Sequence, residues 1–347
     1  MTPPATLSPA QAFLAAHGYA DARAESLPQD AGHRRYTRLS GGPRPALLMD
    51  CTEAPRVGLT PEEDLLPFLR IARHIRAIGL SAPLVLAEAV PDGLALVEDL
   101  GPATHAALLD AGADPRPLYV EAAEALAALH AAPPPAGLPL WEAGRMTATA
   151  GATFLDWWWP AAFGAAPAAE VRAAFEEAMT AMLAPFAGAG GFVHRDYFPA
   201  NLIRLEGRDG ARRTGIIDFQ DAALGHPAYD LVSLLEDARR DVAPDLREAA
   251  TAAYLAARPG LDAAAFGAAR AAMAAQRHLR VASLWVRLDR RDGKPHYLRH
   301  GPRCWALLAE ALRHPATAPL ARFLDAHVPP ALRQNPLRQN PAKDSAP

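Results

Sequence analysis

Lysine is almost absent from this chain. Only Lys294 and Lys343 occur among its 347 residues, so arginine carries nearly all the positive charge and no lysine is available before position 294. Cysteine is equally sparse. Cys51 and Cys304 are too few for a disulfide framework, and nothing beside either has metal-ligand spacing. No uncharged apolar run reaches the roughly 18–20 residues that a membrane-spanning helix needs. No basic segment followed by an apolar run marks a secretory signal. The formal net charge of −3 supplies no general attraction to nucleic acid or to anionic membranes. These absences lead us to expect a soluble, cytoplasmic protein without nucleic-acid or membrane partners.

What is present is an ordinary globular composition, 50% hydrophobic and 21% charged, in a chain long enough for two lobes. Ser8 as a cap, Pro9 in the first turn and Gln11 as the partner of a capping box announce a first helix that stops at Gly18. Residues 30–50 read as two strands around the turn Ser40-Gly41-Gly42-Pro43, the second at Pro45–Asp50. Thr60-Pro61-Glu62-Glu63 opens another capped helix, whose apolar face runs through Leu66, Leu69 and Ile75 to Gly79. Leu84–Ala89 and Leu94–Glu98 flank Pro91-Asp92-Gly93 as a hairpin.

These elements make a small α+β lobe over residues 1–101. Residues 102–328 read as mostly helical, with helices near 117–131, 167–186, 226–240, 245–257, 263–290 and 303–313. From 329 the chain is Pro-rich and polar, carries Leu-Arg-Gln-Asn-Pro at 332–336 and again at 337–341, and is expected to be disordered.

One irregular island interrupts the helices. His194-Arg195-Asp196 is followed by Asn201, a Gly/Asp turn at 207–210, and Asp218-Phe219 on the far side of a short hairpin. Phosphoryl transfer needs a carboxylate that orients and deprotonates the attacking hydroxyl, and oxygen ligands that hold Mg²⁺ against the phosphates. In the pattern H-R-D-x-x-x-x-N the Asp is that base and the Asn turns back to the metal, while the Asp before Phe supplies the second metal ligand. Asp196, Asn201 and Asp218 fill those places in order. Loop formation and turn capping explain each residue singly but not their joint spacing.

The stretch His194–Glu236, with Gly225-His-Pro-Ala-Tyr-Asp-Leu231, resembles the aminoglycoside/choline phosphotransferase family, a branch of the protein-kinase-like fold. Arg34–Arg38, Met49-Asp50, Glu98–Gly101, Phe219–Ala222 and Arg291–Lys294 are similar to the family's bacterial anomeric N-acetylmuramate/N-acetylglucosamine kinases. The likeness spans about residues 10–325. It implies a two-lobed kinase-like fold with a small sheet-plus-helix N-terminal lobe and a larger, mostly helical C-terminal lobe. It also implies ATP and Mg²⁺ as cofactors and a small-molecule sugar as partner. By position, Asp196 is then the catalytic base, Asn201 and Asp218 bind metal, backbone groups from Glu98 to Leu100 hold the adenine, and Asp230 braces the helical lobe or caps its helix.

Two departures from the family pattern stand out. The strand lysine that grips the α- and β-phosphates should fall near Met49, where no basic residue stands. The phosphate loop is reduced to Ala31-Gly32-His33-Arg34-Arg35-Tyr36, with a single glycine. Arg34, Arg35 or Arg38 is therefore expected to reach the phosphates, since a guanidinium suits phosphate oxygens. Glu62 and Glu63, without a lysine to pair, read as favourable charges in a helix's first turn.

For the acceptor, Gln220 and Asp221 follow the metal-binding Asp and can hydrogen-bond a hydroxyl or acetamido group. Arg287, Arg291, Lys294, His296 and Tyr297 form a polar cluster suited to a carboxylate such as that of N-acetylmuramate, or else a solvated helix end stopped by Gly293. Trp157, Trp158 and Trp159 read as core rather than as a sugar-stacking face. Competing readings are an amine-alcohol kinase for choline or an aminoglycoside, against which the basic 287–297 segment speaks, and a nucleotide-binding pseudokinase, against which Asp196, Asn201 and Asp218 speak.

Overall fold

The first helix forms for the reason its sequence suggests: Ser8 Oγ accepts from Gln11 N while the Gln11 side chain accepts from Ser8 N. The computed structural model describes residues 7–27, 34–52, 58–188 and 190–336. In chain order it begins α1 (Pro9–Ala16), β1 (Arg23–Ser26), β2 (Arg35–Ser40), β3 (Ala46–Asp50), α2 (Pro61–Ala77), β4 (Val85–Ala89) and β5 (Leu94–Glu98). Helices α3 (His105–Asp110) and α4 (Pro115–Ala131), strand β6 (Leu140–Trp141), α5 (Ala143–Thr153), a π turn (Phe154–Trp158), α6 (Trp159–Phe163) and α7 (Ala169–Leu183) follow. Short strands β7 (Gly191–Val193), β8 (Leu202–Arg204), β9 (Thr214–Ile216) and β10 (Ala223–Gly225) come next. The last helices are α8 (Ala228–Leu235), α9 (Pro244–Ala256), α10 (Ala263–Asp292), α11 (Gly301–Ala311) and α12 (Ala318–His327). The chain divides into two compact units, Met1–Pro135 with Pro199–Ala222, and Ala136–Phe198 with Ala223–Pro347.

In the first unit an antiparallel sheet runs in the order β1-β2-β3-β5-β4. Side chains alternate across each strand. Leu39, Ala46, Leu48, Leu94 and Leu96 join Phe13 and Tyr19 in one core. Met49, Ala95 and Val97 are buried on the opposite face. Met49 pairs with Tyr36 across β2 and β3, which puts Tyr36 on that face too. Helix α2 buries Leu65, Phe68, Leu69, Ala72 and Ile75, and Glu63 closes the capping box with Thr60 expected of its first turn. Arg34 donates to Asp64 of α2, tying the start of β2 to that helix.

Residues 199–222 belong to this unit although they lie far along the chain. The β8–β9 hairpin is fastened by bridges from Thr104 to Ile203 and from Ser81 to Gly215. Side chains reinforce it: Arg204 and Arg213 both donate to Glu121, and Arg208 donates to Glu98 and to Ser81. Gly215 lets this strand pack closely, since a Cβ there would stand 3.0 Å from Leu100 Cδ1 and 3.1 Å from Leu205 Cδ1 and those side chains would have to yield.

The second unit is built on α10, 30 residues long, against which α5, α8 and α11 pack. Trp158 is fully buried, stacked on Phe154 and close to Trp305, and Trp159 is buried against Phe163, in agreement with a core role. Residues 330–336 differ from the disorder expected from 329 onward. They form a turn whose Gln334 carbonyl accepts from Trp158 Nε1 at 2.8 Å, while Asn335 Oδ1 accepts from Trp305 Nε1 at 2.9 Å. Those two indole N–H groups need acceptors when buried, and the segment supplies them. The repeat copy at 337–341 and the glycine-poor loop residues 31–33 lie outside the described residues.

Candidate active site

Asp196 sits in the second unit on the loop that follows β7, a strand that pairs antiparallel with β10. Close packing at that sheet explains Gly225, where a Cβ would meet the Trp141 carbonyl at 2.7 Å. Asp230 of α8 is fully buried, and its carboxylate accepts from His194 N at 2.6 Å and Arg195 N at 2.8 Å. It is therefore a brace for this loop. Arg195 is held at φ 76°, a left-handed conformation costing a side-chain-bearing residue on the order of 1–3 kcal/mol. Its guanidinium lies 4.3 Å from the centre of the Trp141 ring, so it faces that ring. Asp196 N donates to His194 Nδ1 at 3.3 Å.

The Asp196 carboxyl keeps 40% of its side chain exposed and lies 3.9 Å from Arg277 Nη1. Burial works to raise its pKa, but Arg277, Arg280, Arg195 and His194 outweigh that and hold it below the ordinary carboxylate value. Arg277 is itself fixed by donating to the Arg195 carbonyl at 3.1 Å and to Tyr229 Oη at 3.4 Å. Arg280 donates to the same hydroxyl at 3.2 Å. Burial raises the buried Tyr229 phenol too, and Arg280, Arg277 and Arg195 reverse the shift.

In the first unit Asn201, Asp218 and Gln220 come together. Asn201 Nδ2 donates to Asp218 Oδ2 at 3.0 Å and Gln220 Nε2 to Asp218 Oδ1 at 2.8 Å. Asp218 is exposed at φ 61°, a second left-handed residue, while Phe219 is buried and stacks on Phe68 of α2 at 5.0 Å. The Ile217 amide donates to the Asn201 carbonyl, joining the two ends of the hairpin. Among the described residues no group of three or more His, Cys, Asp or Glu is placed to hold a metal. One carboxylate and one amide oxygen nevertheless fit Mg²⁺, which keeps several waters and is completed by substrate phosphates.

The three arginines expected at the phosphates are placed differently from one another. Arg34, only 9% exposed, donates from Nη2 to Asp64 Oδ1 and to the Asp64 carbonyl, both at 2.7 Å. The Tyr36 phenol is influenced both by this pair and by Asp218. Burial pushes its phenol well above the ordinary range, Arg34 opposes this, and Asp218, Cys51 and Asp64 add to it. Burial likewise raises Cys51 to about 11, against the pull of Arg34. Arg35 is 42% exposed and 3.3 Å from Asp50. Arg38 Nε donates to Asp99 at 2.6 Å. Met49, at the expected lysine position, is core. The Glu98 carboxylate accepts from Arg208, Arg76 and Leu84 N, and the β3–β5 pairing ends at Glu98, just before Leu100.

Residues 23–266 match the profile described as the phosphotransferase enzyme family. The chain belongs to that family. This phosphotransferase is 39% identical to the N-acetylmuramate/N-acetylglucosamine kinase of Caulobacter vibrioides, over 93% of the chain and 97% of that protein. A kinase of the same name from Pseudomonas aeruginosa is 32% identical, over 87% and 88% respectively. Among solved structures, a microcompartment-associated aminopropanol kinase superposes with a TM-score of 0.56 at 19% identity, covering 91% of this chain and 97% of that one. A putative aminoglycoside phosphotransferase from Ralstonia eutropha gives 0.57 at 13% identity, covering 89% and 97%. These structures establish the kinase-like fold expected from the sequence.

Several residues of this phosphotransferase had no distinct sequence signal. Asp64, not Glu62 or Glu63, carries the buried ion pair of α2. Tyr229 and Arg280 belong to the Asp196 surroundings; Tyr229 stands in the Gly225–Leu231 segment without a role suggested for it, and the trace of Arg280 is the spacing of Arg277, Arg280, Arg287 and Arg291 along one helix. Among the expected acceptor residues, Gln220 is engaged with Asp218, and Asp221 is half-buried beside it in the chain. Arg287 lies on α10, and Lys294 follows the stop at Gly293 (φ 66°). Tyr297 leaves the polar cluster, because it is buried and stacked on Trp285 at 5.1 Å.

Proposed function

We propose that this phosphotransferase is a cytoplasmic sugar kinase of cell-wall recycling that moves the γ-phosphate of ATP onto the anomeric hydroxyl of N-acetylmuramate and N-acetylglucosamine. The observation that carries the reading is the match to N-acetylmuramate/N-acetylglucosamine kinases over nearly their whole length, and the partly exposed Asp196 carboxylate, 3.9 Å from Arg277 on a loop braced by Asp230, suits such a reaction. A carboxyl held below its ordinary pKa stays ionised at working pH but is a weak base, and base strength is best matched to the acceptor. The anomeric hydroxyl is more acidic than an ordinary alcohol, so it asks less of that base.

In this mechanism Asp196 orients the sugar hydroxyl in line with the γ-phosphorus and takes its proton as the new P–O bond forms and the bond to the β,γ-bridging oxygen breaks, releasing ADP. Because such transition states are loose, positioning outweighs proton removal, which suits an ionised, arginine-held carboxylate. Asn201 and Asp218 would hold Mg²⁺, whose charge offsets that of the phosphates. Gln220 keeps the Asp218 carboxylate oriented and, with Asp221, offers hydrogen bonds to the sugar. Backbone groups from Glu98 to Leu100 hold the adenine.

Arg34 takes the part of the absent strand lysine. Residues 34 and 36 alternate onto the face that Met49 shares, and the Arg34–Asp64 pair joins strand to helix as a lysine–glutamate pair does in kinases. Arg35 is the second phosphate candidate, whereas the Arg38 guanidinium is committed to Asp99. The proposal is tested by the product: phosphorus–proton coupling in NMR should place the phosphate on the anomeric carbon. Phosphate on the 6-hydroxyl would refute it.

A further inference from the structure

Helix α10 presents Arg277, Arg280, Leu284, Arg287 and Arg291 at intervals of three and four residues, which places them along one face. Neighbouring arginines repel unless something neutralises them, so the location of each counter-charge is informative. Arg277 faces Asp196 at 3.9 Å. Arg291 donates to Asp292 at 2.7 and 3.0 Å. Arg290, just off this face, lies 3.4 Å from the buried Asp289. Arg280 and Arg287 are different. Among the described residues neither forms an ion pair, and the Nε of each is buried without a hydrogen-bond partner. A buried guanidinium N–H left unmatched is costly, and an anion that accepted from it would offset that cost. Burial lowers the pKa of Arg287, and Arg291 and Arg280 lower it further against the pull of Asp292. The two charges therefore repel each other as they stand.

We infer that Arg280 and Arg287 form a carboxylate site, with Leu284 between them, and that it receives the lactyl carboxylate which N-acetylmuramate has and N-acetylglucosamine lacks. This rests on the sugar-kinase reading above. Arg280 is fixed through Tyr229 Oη. At about 1.5 Å of rise per residue, Arg280 lies roughly 4.5 Å and Arg287 roughly 15 Å along the helix from Arg277. Arg280, the nearer of the two, is within reach of a hexose whose reacting hydroxyl is at Asp196, and the long Arg287 side chain would approach its acidic substituent from the far side. Leu284, half-buried, offers the lactyl methyl an apolar contact. The site places Arg280 in the role that the sequence suggested for Lys294.

The test uses steady-state kinetics on the full chain with N-acetylmuramate, its uncharged lactyl amide, and N-acetylglucosamine. Wild-type enzyme should prefer the acid to the amide by about tenfold to a hundredfold in kcat/KM, the scale of charge-assisted hydrogen bonds. Arg280→Gln and Arg287→Gln should each lower the ratio of kcat/KM for N-acetylmuramate over N-acetylglucosamine by about tenfold, chiefly through KM, because a ground-state contact to one substituent is lost. The acid–amide comparison on wild type needs no substitution, so a variant that fails to fold leaves the test in place. Equal turnover of acid and amide, or ratios unmoved in both variants while both sugars are still phosphorylated, would overturn the carboxylate site alone. Turnover of neither sugar by wild type would remove the sugar-kinase reading and this site with it.

Discussion

The arginines of the first unit's sheet and those of α10 in the second unit make an instructive contrast. At the sheet, Arg34, Arg35 and Arg38 each have a carboxylate, in Asp64, Asp50 and Asp99. On α10, Arg277 and Arg291 have one, while Arg280 and Arg287 form no ion pair among the described residues. Residue type alone does not separate these cases in a chain where arginine carries nearly all the positive charge. Pairing does. An exposed pair contributes little to stability, and a buried pair such as Arg34–Asp64 often costs more in desolvation than it returns. That pair is therefore better explained by what it positions than by what it stabilises.

The largest effects are expected at the two carboxylates of the site itself, Asp218 in the first unit and Asp196 in the second. Asp218→Ala should abolish Mg²⁺-dependent nucleotide binding, and Asn201→Ala should weaken it less, because an anionic ligand contributes more than a neutral amide. Calorimetry with Mg·ATP checks both. Asp196→Asn should lower turnover by about 10²–10⁴ while Mg·ATP still binds, the usual scale for loss of a general base. Near-normal turnover in that variant would take Asp196 out of the mechanism.

Pairing at Arg34 can be sharpened by ligand choice. Arg34→Ala should weaken ATP by about tenfold or more and adenosine far less, since only ATP carries the phosphates a guanidinium grips. Equal losses for the two ligands would leave Arg34 a purely structural residue. A smaller effect is expected at Arg277, whose charge helps hold Asp196 ionised. The Asp196 pKa is depressed, so the active carboxylate is present above it and lost as pH falls through it. Arg277→Gln should therefore move the acid limb of the kcat/KM profile to higher pH, and Arg277→Lys should move it less. The smallest change belongs to Arg38→Ala, which removes a partly exposed tie to Asp99. It should lower Tm by a few degrees or less and leave the ATP-to-adenosine ratio unaltered.

How far such distinctions could be read from sequence depends on whether a partner is local. The capping boxes at Ser8 and Thr60, the hairpin at Pro91–Gly93 and the long helix ending at Gly293 were legible because each is decided within a few residues. The Asp196, Asn201 and Asp218 motif was legible because its spacing is short. What escaped was long-range pairing. Asp64 meets Arg34 across 30 residues, and Gln334 meets Trp158 across 176. Helix α5 was also missed, because its Ala-, Gly- and Thr-rich segment offers few large apolar residues to mark a face, whereas α12 was missed although Leu320, Phe323 and Leu324 line one side of it. Strand β1 was missed because all four of its residues are exposed, leaving no alternation to detect.

The central claim is that the acceptor is an N-acetylated amino sugar, and an ATP-turnover screen of the wild-type chain tests it most directly. N-acetylmuramate, N-acetylglucosamine, choline and kanamycin are offered separately at equal concentration with Mg·ATP, and ADP release is followed. The account predicts turnover with the two sugars and none above background with the two cationic acceptors. Turnover of choline or kanamycin with neither sugar accepted would contradict it.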